Sequence, residues 1–123
     1  MGNGIAVEPT EGKVFAPADA EVTTLFPTGH AIGLKTNKGT EILIHIGMDT
    51  VRLDGKGFKT HVQQGDRGKQ GQLMIEFDID FIKKNNLPTI TPVLVTNTAA
   101  YREVVTVDGK TIKNGEKLIS TVV

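Results

Sequence analysis

Two imidazoles lie where little else in the chain can react. His45 sits inside the most apolar stretch, Glu41-Ile42-Leu43-Ile44-His45-Ile46-Gly47-Met48-Asp49-Thr50-Val51. His30 lies fifteen positions earlier, in Pro27-Thr28-Gly29-His30-Ala31-Ile32-Gly33. There is no cysteine, and no Asp or Glu adjoins either ring in sequence. What remains is chemistry the rings perform themselves. One option is to hold a metal such as zinc through neutral nitrogens. The other is to accept a phosphoryl group on one nitrogen while the second ring donates a hydrogen bond to the phosphoryl oxygens. The attacking nitrogen must be unprotonated, which asks for a pKa near or below neutrality. A structural zinc site wants four protein ligands. The sequence offers these two imidazoles, with Asp49 as a candidate third. Either histidine alone also reads as an ordinary strand residue, bonded to backbone or half exposed. The pairing is what points to chemistry.

The elements that would position the rings are β-type. Short runs rich in Val, Ile and Thr recur between Gly, Asn, Asp and Pro, the pattern of an all-β chain. The spacing predicts strands at Gly4–Val7, Lys13–Phe15, Ala20–Phe26, Ala31–Thr36, Glu41–Ile46, Phe58–Val62, Leu73–Phe77, Val93–Thr96, Val104–Val107 and Lys117–Val122. Asp78 to Asn85 reads as a short helical turn capped by Asp78 or Asp80, with Phe81 and Ile82 facing inward and Pro88 and Pro92 preventing its continuation. Many short strands at close spacing favour an antiparallel β-sandwich or barrel-sandwich with short helical turns.

Asn37-Lys38-Gly39 reads as a hairpin turn between the two histidine-bearing segments. Counting outward from Lys38, residues 30 and 45 lie almost opposite, within reach of one ligand if they share a face. Side chains alternate along a strand, so Ile42, Ile44 and Ile46 should face the core, and Leu43 and His45 the other side. Gly47 adds no side chain and would let a large partner approach the ring.

Composition narrows the classes. The 123 residues suit a single domain spanning 1–123. Lys+Arg and Asp+Glu number 14 each, so there is no basic excess of the kind nucleic-acid binding needs. The apolar run around His45 is far shorter than the roughly 20 residues of a membrane span. The N-terminus lacks the regions of a signal peptide, and the absence of cysteine fits a reducing compartment. The expectation is a cytoplasmic domain. A weak internal repeat, Gly65 to Ile75 against Gly109 to Ile119, has two glycines six apart followed by an apolar pair. Gly68 stands where the second copy has Ile112, which predicts a loose edge. Such a repeat also occurs in biotinyl-type barrel sandwiches and speaks to fold alone.

Lys13-Val14-Phe15-Ala16-Pro17-Ala18-Asp19-Ala20-Glu21-Val22, Pro27-Thr28-Gly29-His30-Ala31, Glu41 to Val51, Leu53-Asp54-Gly55-Lys56-Gly57-Phe58 and Ile75-Glu76-Phe77-Asp78 closely resemble one family. It is the glucose-type enzyme IIA domain of the bacterial phosphoenolpyruvate-dependent sugar phosphotransferase system. The resemblance runs from Gly4 through nearly the whole chain. It implies a phosphoryl relay: His45 transiently phosphorylated, His30 binding the phosphoryl group without carrying it, and Thr28 fixing the tautomer of His30. It also implies that Gly47 offers its carbonyl to His45 and that Asp49 lies at the rim, although Asp49 reads equally well as a turn residue. The implied partners are the phosphocarrier histidine protein as donor and a cysteine of the IIB domain of a sugar permease as acceptor. Regulatory target proteins are further partners the resemblance allows. Both relay partners would dock on an apolar collar for which Ile32, Leu43, Ile46, Met48 and Val51 are candidates, with strand alternation favouring the core for Ile46. No cofactor is implied, save a zinc that His30 and His45 would share with a partner carboxylate. His61 matches no functional position and reads as a surface residue. The family normally has a further N-terminal segment with a first strand and an acidic, aromatic loop, and this sequence starts inside that region. Membrane association would come through a permease.

Two other classes compete. A zinc peptidase of the lysostaphin kind would need a third protein ligand and a further catalytic histidine, and only His61 remains. A non-enzymatic binding module would be regulatory, which is compatible with the relay, or biotinyl-like, which would need an exposed hairpin-tip lysine. Lys38 has that position but not the flanking methionines.

Overall fold

The computed structural model describes residues 4–96, 104–107 and 110–113. The chain folds as an antiparallel β-sandwich. One sheet has six strands in the order β1 (Gly4–Val7), β9 (Thr91–Val95), β5 (Glu41–His45), β4 (Ala31–Thr36), β3 (Ala20–Leu25) and β7 (Arg67–Gly68). The other has three, β2 (Lys13–Phe15), β8 (Leu73–Phe77) and β6 (Phe58–Thr60), and β10 (Val104–Val107) pairs with β11 (Lys110–Lys113) as a separate ribbon. The predicted strands agree closely in the described residues. The segment Lys117–Val122 and most of the repeat's second copy lie outside them.

Period-two alternation places the core. Ile42 and Ile44 of β5 are buried and pair with Leu34 and Ile32 of β4, which are buried too. From the second sheet, Val14, Met74 and Ile75 join the same cluster. Leu43 and His45 alternate out and are half-buried. The glycines of the repeat's first copy serve turns, Gly65 at φ 96° and Gly71 at φ 85°. Gly68 is not a loose edge. It is buried in β7, and a Cβ there would come within 2.9 Å of Met74 Cε, so the methionine methyl occupies the space the missing side chain leaves.

Three connections set the functional region. The hairpin at Asn37-Lys38-Gly39 closes with Gly39 donating to the Thr36 carbonyl (2.9 Å), and its register pairs His45 with Ala31. A β-turn over Phe26–Gly29, with Gly29 N–H on the Phe26 carbonyl at 2.8 Å, delivers His30 to the start of β4. Pro27 presets the first corner of that turn. Gly29, at φ 75°, lies against Phe58 and Thr60 of β6, leaving a Cβ only 3.2 Å from each. The third connection is the helix α1 (Ile79–Lys84). Asp78 caps it by accepting from Phe81 N–H at 3.0 Å, and Ile82 is buried beneath it. After Asn86, in the left-handed region, the chain passes Pro88 and enters β9. Pro92 stands one residue beyond the last β5 pair, Ile44↔Val93, where the ladder to β5 has ended.

The face assignment is directly measurable. Ile44→Ala removes a fully buried side chain and should lower the unfolding free energy by about 2–5 kcal/mol. Leu43→Ala, on the half-buried face, should cost clearly less, read as urea midpoints of the two variants. Equal losses would contradict the alternation.

Candidate functional site

The two histidines converge. Their ring centroids lie 5.1 Å apart with the planes at 78°. The strand register alone would not bring this about, because His45 pairs with Ala31 and the Ile46 N–H donates to the His30 carbonyl at 2.7 Å. His30 precedes β4, on the bend that follows the Phe26–Gly29 turn, so it is freed from strict alternation and its ring meets His45. Phe26 stacks edge-on against the other side of His30, at 5.3 Å and 67°.

Each ring is held at Nδ1. His45 Nδ1–H donates to the Gly47 carbonyl at 2.8 Å, which leaves Nε2 with its lone pair. The Thr28 hydroxyl bonds His30 Nδ1; with the hydroxyl donating, the His30 proton sits on Nε2. His30 is 3% exposed. Burial, and then the neighbouring His45, hold its pKa below the ordinary histidine value of 6.5, so the neutral ring is favoured.

The turn after His45 explains two motif residues. Gly47 has φ 70°, and a Cβ there would come within 2.7 Å of Thr50 Cγ2 and 2.8 Å of the Pro88 carbonyl. No other residue fits without displacing backbone. Asp49 is exposed, adopts the left-handed conformation at φ 59°, and its carboxylate caps no backbone N–H of the 3-10 turn Thr50–Leu53. It is a turn residue beside the site.

The expected apolar collar is corrected in part. Ile32 and Ile46 are both 0% exposed and belong to the core, Ile32 opposite Ile44 in the β4–β5 pair. Leu43 is half-buried on the histidine face. Met48 (43%) and Val51 (54%) are exposed, as is Phe26 (40%). Among the described residues these three are the exposed large hydrophobics, and Phe26 touches His30. Phe26 was missed from the sequence because it reads as the last residue of a strand, with no sign of which way it faces. His61 is exposed just after β6, where Nε2 meets Glu76 Oε2 of β8 at 2.6 Å. That hydrogen bond holds the Glu76 carboxyl below its usual range.

Among the described residues no group of three or more His, Cys, Asp or Glu is placed to hold a metal. Among the described residues the pair therefore supplies at most half of a four-ligand zinc shell.

The family described as the phosphoenolpyruvate-dependent sugar phosphotransferase system, EIIA 1, matches residues 1–101. The chain belongs to this family. It is 47% identical over 115 residues to a PTS system glucose-specific EIIA component of Bacillus anthracis, covering 94% of this chain and 70% of that protein. It is 48% identical over 119 residues to a PTS system beta-glucoside-specific EIIBCA component of Halalkalibacterium halodurans, covering 97% of this chain but only 19% of that protein's length. The structure of glucose permease IIA from Mycoplasma capricolum superposes with a TM-score of 0.78 at 33% identity, covering 91% of this chain and 76% of the other. This glucose-type EIIA domain therefore has a phosphoryl-transfer role in the sugar phosphotransferase system and is a phosphotransferase component. No helix of the described residues is long and apolar enough to cross a membrane.

The lowered pKa of His30 gives a pH signature. In the window below 6.5 the unfolded chain binds the proton more readily than the fold does, so stability falls as pH drops through that window and levels off below the folded-state pKa. Urea midpoints from about pH 8 down to about pH 5 should show this slope in the wild type and a flatter one in His30→Gln.

Proposed function

We propose that His45 accepts a phosphoryl group on Nε2 from a phosphohistidine of the phosphocarrier protein and passes it to a cysteine of a permease IIB domain. The observation that carries this reading is the pair of rings 5.1 Å apart, one with a free Nε2 and the other with a donor. The Nε2 lone pair of His45 attacks phosphorus, and the bond from phosphorus to the carrier's nitrogen breaks with its electron pair returning to that imidazole. The Nδ1 proton stays in place, hydrogen-bonded to the Gly47 carbonyl. His30 donates from Nε2 to a phosphoryl oxygen. In the second transfer the cysteine thiolate attacks phosphorus and the N–P electron pair returns to His45. Positioning and electrostatics supply most of the catalysis for such a transfer. Neutral His30 suits the task, because it donates without adding charge that would have to be lost again.

The apolar residues around the rings support a docking role. Phe26, which touches His30, and Met48 and Val51, in the segment that follows His45, present exposed apolar surface, the composition expected at the centre of a protein interface. The β-glucoside-specific relative joins B, C and A components in one chain by its name, and this favours a IIB partner. Asp49 lies next to Met48 and would border such a contact.

Acid-labile label from the phosphorylated carrier should be absent in His45→Gln. In His30→Gln uptake should persist while onward transfer falls by roughly 100-fold or more. Normal labelling of His45→Gln would overturn the assignment. Val51→Glu should weaken binding of the carrier by about tenfold or more, measured by calorimetry, with the unfolding midpoint little changed because the residue is exposed.

A further inference from the structure

We infer that Thr91 and Thr50 are positioning residues for the phosphoryl transfer: together they clamp the Ile46–Gly47 peptide plane, while the Pro88 carbonyl holds the Gly47–Met48 plane, and the Gly47 carbonyl so placed sets the tautomer of His45. The inference rests on the reading of His45 Nε2 as the attacking atom. Its geometry stands independently of that reading.

Every backbone polar group from the Ile46 N–H to the Met48 N–H is engaged. The Ile46 N–H donates to the His30 carbonyl at 2.7 Å. The Ile46 carbonyl accepts the Thr50 hydroxyl at 2.5 Å. The Gly47 N–H donates to Thr91 Oγ1 at 3.3 Å, and the Thr91 hydroxyl proton goes on to the Thr89 carbonyl at 3.0 Å. The Gly47 carbonyl takes His45 Nδ1–H, and the Met48 N–H of the same peptide plane donates to the Pro88 carbonyl at 3.1 Å.

Two consequences follow from this arrangement. First, the plane bearing the Gly47 carbonyl is polarised from its far end, since a peptide that donates through N–H accepts more strongly through C=O. Second, the plane before it cannot rotate without stranding a buried hydroxyl or a buried N–H. Thr50 and Thr91 are both 0% exposed, where an unmet hydrogen bond is costly. The ring of His45 therefore meets a fixed acceptor. A freely rotating carbonyl would let the proton shift to Nε2, and the lone pair would be lost from the reacting side. Thr91 lies forty-four residues from Gly47 in sequence, at the start of β9, so the strand after the helix takes part in the site without touching phosphorus.

The test uses the whole chain. In Thr91→Val the shape is kept and the hydroxyl removed. Long-range proton–nitrogen correlation of the His45 ring should show the Nε2–H form gaining population, and label uptake from the phosphorylated carrier should slow about tenfold through misplacement of the attacking atom. Thr91→Ser should restore both. Thr40→Val is the control for a buried threonine away from the site, since Thr40 Oγ1 has no hydrogen-bond partner among the described residues; it should change neither. A folded Thr91→Val with unaltered tautomer and rate would overturn the inference. If that variant fails to fold, Thr50→Val carries the same expectation. The wild type supplies a readout that needs no variant: the Gly47 amide should resist hydrogen exchange like a strand amide. Exchange at the rate of an open loop would overturn the clamp. Should wild-type His45 take no label, the relay reading falls, while the tautomer and exchange measurements still decide the clamp.

Discussion

The hydrogen bond from His45 Nδ1 to the Gly47 carbonyl is the constraint around which this end of the sandwich is arranged. A histidine acts as a nucleophile only when the correct nitrogen is bare. Here the decision is delegated to backbone two residues downstream. That backbone can fold back so tightly only because Gly47 occupies the left-handed region, in a space that Thr50 and the Pro88 carbonyl leave for no Cβ. The rest of the local structure serves this return. The β4–β5 register fixes where β5 stops, the 3-10 turn supplies Thr50, and α1 with the proline after it brings the Pro88–Thr91 segment beneath.

The fold separates stability from chemistry by using the two faces of one strand. Ile42 and Ile44 hold β5 to the core, while Leu43 and His45 look outward. The second ring gets its place by a different route. His30 is lodged in a bend, braced by Phe26 and by the close approach of Gly29 to β6. Its burial, and then the neighbouring His45, depress its basicity, so the packing that sets its position also favours its neutral form.

Much of this was legible in the chain. Period-two alternation around His45 gave its face, and Asn37-Lys38-Gly39 gave the hairpin. Counting from Lys38 gave a register within one residue of the observed pairing. The glycine-punctuated apolar runs gave an all-β sandwich. Other features required tertiary knowledge. Ile32 lies two residues after His30, yet it faces Ile44 across the β4–β5 pair and joins the core, whereas strand alternation alone favoured the core for Ile46. Arg67–Gly68 is too short to announce itself as a strand and exists only because Glu21 and Ala20 pair with it. The placement of Thr91 against Gly47 is set by packing between segments forty-four residues apart that no local pattern records, and Phe26 meets His30 through the fold of the turn between them.

The choice of a peptide oxygen, in place of a carboxylate, as the partner of His45 carries an energetic consequence. A phosphorylated imidazole that keeps its second proton is cationic, and an anionic neighbour would stabilise that cation strongly. A neutral carbonyl stabilises it less. In the proposed relay the bond to phosphorus would then retain more of its transfer potential. A neutral acceptor also has no titration of its own, which keeps the ring's orientation indifferent to changes in cellular acidity.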